Sequence, residues 1–193
     1  RHGSYHGATH LCMSFGGGSV AYSSEYGPLQ PGSVKVPQPS HYRCLYCKDQ
    51  PQCNLECARD VERAIETEGP DTVAAFPGEP ISAAAGMAVP HAQYWPTIRS
   101  ICDKYGVLLI ADEVITGFGR TGKMFASEHW NLKPDIITVA KALTSGYLPI
   151  GAAIASKNVA DAFLGGDKEA FHHLITFGGN PVSAAAALAN LDI

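Results

Sequence analysis

The sequence predicts an α/β fold, a mostly parallel sheet flanked by helices, and three observations predict it. Residues 107–111 (VLLIA) and 136–140 (IITVA) are short, unbroken apolar runs that read as strands buried on both faces. Helical patterns alternate with such runs, as strand–helix–strand crossovers require. Each run ends on a charged residue, Asp112 after the first and Lys141 after the second. Parallel sheets bind ligands beyond the carboxyl ends of their strands, so both side chains are expected at that rim.

The elements follow in order. Residues 1–50 carry Gly16, Gly17, Gly18, several prolines and scattered Ser and Tyr, a composition of long surface loops of the kind that often carry function. A helix is expected over residues 54–68: Asn54 can cap it, Leu55, Ala58, Val61 and Ile65 share a face, and Gly69-Pro70 stops it. Residues 72–76 then read as a buried strand that delivers Glu79 to the rim. The spacing of Trp95, Ile98, Ile101, Cys102 and Tyr105 predicts a second helix over 94–105, ended by Gly106. After Lys141 come a strand over 151–155 and a short helix over 157–164. Asn180 as cap and Pro181 as first residue open the last helix.

With 193 residues, 46% hydrophobic and 17% charged, the chain can bury a core of ordinary size. A formal charge of −4 without a Lys/Arg cluster gives no footprint for nucleic acid or an anionic membrane. No apolar stretch approaches the roughly 20 residues that cross a bilayer, so a cytoplasmic location is the expectation. The chain opens on Arg1-His2-Gly3 and stops inside an Ala-rich helical pattern. It is therefore expected to be an internal piece of a longer polypeptide.

Two patterns compete for attention. Cys44, Cys47, Cys53 and Cys57 have metal-ligand spacing, but no hydrophobic mini-domain surrounds them and Cys57 falls in the expected helix, which favours reduced structural thiols and no metal. Gly117, Gly119 and Gly122 match a dinucleotide fingerprint, yet five residues separate the strand from the first glycine and no apolar helix opens at Gly122. Those glycines are expected to let a loop pass close to a ligand or a partner subunit.

A carboxylate and an amine converging on one rim suit pyridoxal 5'-phosphate, whose aldehyde needs a lysine Schiff base and whose ring nitrogen needs an acidic partner. The stretches DEVITGFGRTGKMFASEH, PDIITVAKAL and GYLPIGA, with SYHG near the start and TFGGNPVSAAAAL near the end, resemble the class III, or omega, aminotransferases, fold type I pyridoxal phosphate enzymes. On that resemblance, residues 1–193 form part of the cofactor-binding large domain, incomplete at both ends, with an N-terminal segment and a small C-terminal domain missing. Lys141 becomes the Schiff-base lysine and proton carrier, and Asp112 the partner of the ring nitrogen. Tyr5 of the YHG turn stacks on the ring, Thr176 of TFGGNP binds the phosphate across a homodimer, and Glu79 lies near the cofactor. From the residues themselves, Val114 would point the same way as Asp112 if the chain stays extended, Glu113 would point away, and apolar neighbours would partly desolvate Lys141.

Members that use glutamate or gamma-aminobutyrate carry an arginine where this chain has Ala8, a glutamate at Ala84, and many a glutamine at Ile115. The departures lean toward an amine or omega-amino acid donor and a small 2-oxo acid acceptor such as pyruvate or glyoxylate. The alternatives are an aminomutase, racemase or decarboxylase using the same Asp112 and Lys141, or a non-catalytic binding domain.

Overall fold

The computed structural model describes residues 1–17, 25–42, 44–48 and 52–193; Gly18 of the glycine run lies outside them. Among the described residues four strands form one sheet in the order β1 (Ala75–Gly78), β2 (Leu108–Asp112), β3 (Ile136–Val139) and β4 (Ala152–Ala155). The first three run parallel, and β4 returns antiparallel to β3. The expected mostly parallel α/β sheet is the one observed.

The helices show which sequence signals governed folding and which were overridden. Helix α1 (His10–Phe15) lies in the stretch expected to be irregular; it is six residues long, and Thr9 caps it by accepting the Cys12 N–H. Helix α2 (Glu56–Glu68) buries Cys57, Ala58, Val61 and Ile65. Its N-cap is Leu55, in the left-handed region at φ 59°, not Asn54. The Asn54 side chain still accepts the Glu56 N–H at 3.3 Å, a turn-type bond that partly replaces the expected cap. One 3-10 turn over Pro70–Thr72, closed by the Val73 N–H onto the Pro70 carbonyl, delays β1 beyond the expected start at residue 72.

Helix α3 (Tyr94–Tyr105) matches its expected bounds and ends on Gly106 at φ 67°, a conformation that suits glycine. Tyr94, Trp95, Ile98 and Cys102 are fully buried against α2 and the β1–β2 pair, with Phe76, Val107 and Leu109 in the same cluster. Each large apolar side chain buried this way contributes about 1.5–3 kcal/mol. Beyond the sheet, α4 spans only Lys157–Asp161, shorter than expected, and α5 covers Pro181–Leu191. Asn180 caps α5 as expected, accepting the N–H groups of Val182 and Ser183.

Register places the functional rim. Asp112, the last residue of β2, pairs with Thr138 of β3. Lys141 stands three positions beyond Thr138 at the same end. Neighbouring strands are ~4.8 Å apart and rise ~3.3 Å per residue, so the two backbones are on the order of 10 Å apart, a span two side chains can close around one small ring.

Candidate active site

Asp112 is buried, and both of its oxygens are engaged. Oδ1 accepts the Val114 N–H at 3.1 Å, and Oδ2 lies 2.6 Å from Nδ1 of His6. The other ring nitrogen of His6, Nε2, is buried with no partner among the described residues. A hydrogen on Nδ1 alone leaves no buried donor unpaired, and in that tautomer His6 donates to the Asp112 carboxylate. Sequence reasoning passed over His6, because its partner is 106 positions away. The available signal was its place beside Tyr5 in a segment already suspected of reaching the rim.

Glu79 holds that segment in place. Its Oε1 accepts the Tyr5 N–H at 3.2 Å and the Ser82 hydroxyl at 3.0 Å, and its Oε2 pairs with the Arg1 guanidinium at 3.1 Å. Arg1 also donates to the Glu79 carbonyl at 2.6 Å and sits 5.4 Å from the Trp95 ring. A β-carbon on Gly78 would meet the Trp95 ring at 3.0 Å and the Arg1 guanidinium at 3.3 Å, so glycine is what lets strand, ring and cation stack here. The backbone at Tyr5, next in sequence to the Asp112 partner His6, is thus tied to a buried ion pair, and the Tyr5 side chain is half-exposed.

Lys141 opens a 3-10 turn, Lys141–Thr144, directly after β3, with its backbone in the left-handed region at φ 47°. Such a conformation in a non-glycine residue costs of order 1 kcal/mol or more and persists where neighbours hold it. Here the holder is α5: the Asn190 side chain donates to the carbonyls of Ala142 at 3.0 Å and Leu143 at 3.2 Å, while Leu143 and Ala187 pack together. The expected desolvation of Lys141 is not observed, since its side chain is exposed. The apolar neighbours lie on the strand before it or turn inward with Leu143, leaving the amine at the rim. Among the described residues Lys141 makes no ion pair.

Val114 does not follow the extended path that would align it with Asp112. The strand ends at Asp112 and the chain turns at Val114, so alternation fails and Val114 contributes its N–H to the carboxylate instead. Glu113, expected only to point away, is fully buried and organises the glycine loop: its carboxylate accepts the Thr116 hydroxyl and the N–H groups of Ala126 at 3.1 Å and Ser127 at 2.7 Å. Gly117 and Gly119 lie in turns and Gly122 in a bend, and the next helical element is a short 3-10 helix, Ala126–Trp130, not an α-helix opening at the last glycine. Thr176 is exposed in the turn before α5 and is not brought to Asp112 within this chain.

All six cysteines are free thiols, and no group of three metal-ligating side chains with cation-binding geometry occurs among the described residues. No helix among them is long and apolar enough to cross a membrane.

Comparison with known proteins agrees with this geometry. The family model for class III aminotransferases matches residues 1–193. A protein named as a probable aminotransferase of Mycobacterium tuberculosis is 46% identical over 98% of this chain and 40% of its own length. The taurine–pyruvate aminotransferase of Bilophila wadsworthia is 42% identical, and the putrescine–pyruvate aminotransferase of Pseudomonas aeruginosa 40%, each over 98% of this chain. The chain spans 42% and 41% of those two relatives. Among solved structures, a pyridoxal phosphate-bound amine transaminase from an uncultivated Pseudomonas species superposes with TM-score 0.94 at 41% identity, covering 100% of this chain and 44% of that one. An (S)-enantioselective omega-transaminase from Thermomicrobium roseum gives 0.91, also at 41% identity, with 42% of that chain covered.

Proposed function

From the premise that the chain belongs to the class III aminotransferases, with the fold type I architecture of that family, we propose that the whole protein transfers an amino group from an amine or omega-amino acid to a small 2-oxo acid such as pyruvate or glyoxylate. Enzymes of this class use pyridoxal phosphate, and residues 1–193 are read as part of the domain that holds it. The observation that carries the reading is Asp112 and Lys141 on one rim of adjacent parallel strands, the carboxylate already braced by His6.

The donor set fits the cofactor. Asp112 is a buried carboxylate whose neighbours are hydrogen-bond donors, with no lysine or arginine paired to it among the described residues, a site that favours a protonated ring nitrogen. The half-exposed Tyr5 offers a flat ring for stacking, Glu79 fixes its backbone by accepting the Tyr5 N–H, and Val114 gives its N–H to the Asp112 carboxylate. Lys141 is an amine without an ion-pair partner among the described residues, ready to bond an aldehyde. Thr176, exposed here, is read as donating to the phosphate of the other subunit in a homodimer. When bound, pyridoxal phosphate supplies an electron sink that makes a proton on the substrate carbon removable.

Within that chemistry Lys141 Nζ takes the proton from the substrate carbon and returns it at the acceptor position, first as base and then as acid. Asp112 would hold the ring nitrogen of the cofactor, and His6, hydrogen-bonded to its carboxylate, would hold that carboxylate in one orientation. With alanine at residue 8, where relatives that use glutamate carry an arginine, the bidentate partner for a second substrate carboxylate is missing, which supports amines over dicarboxylic donors. The names of the taurine–pyruvate and putrescine–pyruvate relatives lean the same way.

The test uses the full-length protein. Lys141→Ala should abolish turnover and the visible absorbance of the lysine-bound cofactor; a variant keeping both would refute the assignment. Stoichiometric formation of an amino acid from added pyruvate separates transamination from racemase, mutase or decarboxylase chemistry.

A further inference from the structure

The cysteine-rich turn lies outside the chemistry above. Cys44 and Cys47 occupy one tight turn, closed by the Lys48 N–H onto the Cys44 carbonyl at 3.2 Å. The Cys47 N–H donates to Cys44 Sγ at 3.4 Å. The turn is at the surface: Leu45 and Lys48 are exposed while both cysteines point inward. Cys47 Sγ also donates to Asn54 Oδ1 at 3.4 Å, the same amide oxygen that accepts the Glu56 N–H at the start of α2.

Of the neighbouring thiols, Cys57 lies in α2 itself and is buried. Burial, with the nearby thiols of Cys53 and Cys44 adding to it, pushes Cys57 up to about 12, which leaves it almost without thiolate at neutral pH. No group of three metal-ligating side chains in cation-binding geometry occurs among the described residues. What remains is a pair: two thiols three positions apart on one surface turn, each 8% exposed beneath the exposed Leu45 and Lys48.

We propose that Cys44 and Cys47 are a redox-active dithiol that closes to a disulfide by exchange with a small-molecule disulfide of the glutathione class. One cysteine, as thiolate, attacks a sulfur of the small disulfide, breaking its S–S bond and releasing one thiol. The second cysteine attacks the mixed disulfide, releasing the other thiol and forming the Cys44–Cys47 bond. The chain gives up two electrons and two protons, and the small disulfide takes them up as two thiols. Burial raises the Cys44 thiol against the lowering effect of the Cys47 and Lys48 N–H groups, so exchange quickens as pH rises. Closure removes the thiol hydrogen that Cys47 gives to Asn54, so oxidation is felt at the first turn of α2.

Trypsin cutting after Arg43 and Lys48 isolates residues 44–48 as one pentapeptide. The reduced full-length holoenzyme is equilibrated with oxidised glutathione, alkylated with iodoacetamide, digested and weighed. The expected pentapeptide is two hydrogen masses lighter than its dithiol form and carries neither alkyl group nor glutathione. Cys47→Ser should instead accumulate a glutathione adduct on Cys44, since the resolving thiol is gone, and Cys57→Ala should leave the parent behaviour unchanged. A parent pentapeptide that stays doubly alkylated at every glutathione ratio overturns the proposal, whatever the variants do. So does one that retains glutathione, or a purified protein holding one zinc per chain that is released on alkylation.

Discussion

Removing the donor on Asp112 is the sharpest perturbation of the site. His6→Leu deletes the 2.6 Å contact to Oδ2 and leaves the carboxylate with the Val114 N–H at 3.1 Å. A hydrogen bond to a buried charged group contributes about 1.5–3 kcal/mol. At roughly 1.4 kcal/mol per tenfold, this corresponds to a ~10- to ~150-fold loss. In the full-length enzyme the loss should appear in kcat and in the affinity for pyridoxal phosphate, with little change in the KM for pyruvate, because His6 acts through Asp112 and not on the oxo acid. His6→Asn is the control: its amide Nδ2 can stand where the imidazole Nδ1 stands and should restore most of the loss. A Leu variant that titrates cofactor and turns over like the parent, with unchanged folding stability, would refute the role given to His6.

Three further outcomes follow from the same structure. Glu113→Gln replaces one acceptor oxygen with a donor facing N–H groups, and should lower unfolding free energy by about 2–4 kcal/mol in urea titration, since bonds to charged groups carry ~1.5–3 kcal/mol each. Asn190→Ala removes both bonds to the Ala142 and Leu143 carbonyls; at about 1 kcal/mol each it should cost ~1–2 kcal/mol and slow turnover more than it weakens cofactor binding. The thiols of Cys57 and Cys102 and the phenol of Tyr94 are each pushed up to about 12 by burial. Their folded forms stay neutral while the unfolded chain releases protons from about pH 9 upward, so stability is complete below that and declines toward pH 12, by about 1.4 kcal/mol per pH unit for each group. Urea midpoints across this window should show a shallower decline for Cys102→Ala than for the parent; equal slopes would show that the buried thiol is not responsible.

How much could be read beforehand depended on the range of the interaction. Helix α3 and the cap of α5 were legible because periodicity, Gly106 and the Asn180-Pro181 pair are local signals that agree with one another. Asp112 and Lys141 were legible for the same reason, each terminating an apolar run. The His6–Asp112 contact was not, since nothing local marks a bond formed by folding two distant segments onto one rim. Alternation failed at Val114 because it presumes a strand, and Glu113 had already drawn the following loop into a turn. The exposure of Lys141 was misjudged because neighbours in sequence are not neighbours around a side chain once the backbone turns through φ 47°.

Asp135 sits at the opposite end of β3 from Lys141. Its N–H donates to the Leu109 carbonyl at 2.8 Å, its side chain accepts the Leu109 N–H at 2.7 Å and the Arg99 guanidinium at 2.8 Å, and its carbonyl accepts the Ser156 N–H at 2.8 Å. One residue thus stitches β2, β3 and the end of β4 to α3. A slip of β3 by a single position against β2 would turn every side chain of the strand to its other face and carry the lysine out of line with the carboxylate. The alignment of the reactive pair is therefore guarded from the far edge of the sheet, and damage at Asp135 would surface as lost chemistry in a protein whose reactive groups are all still there.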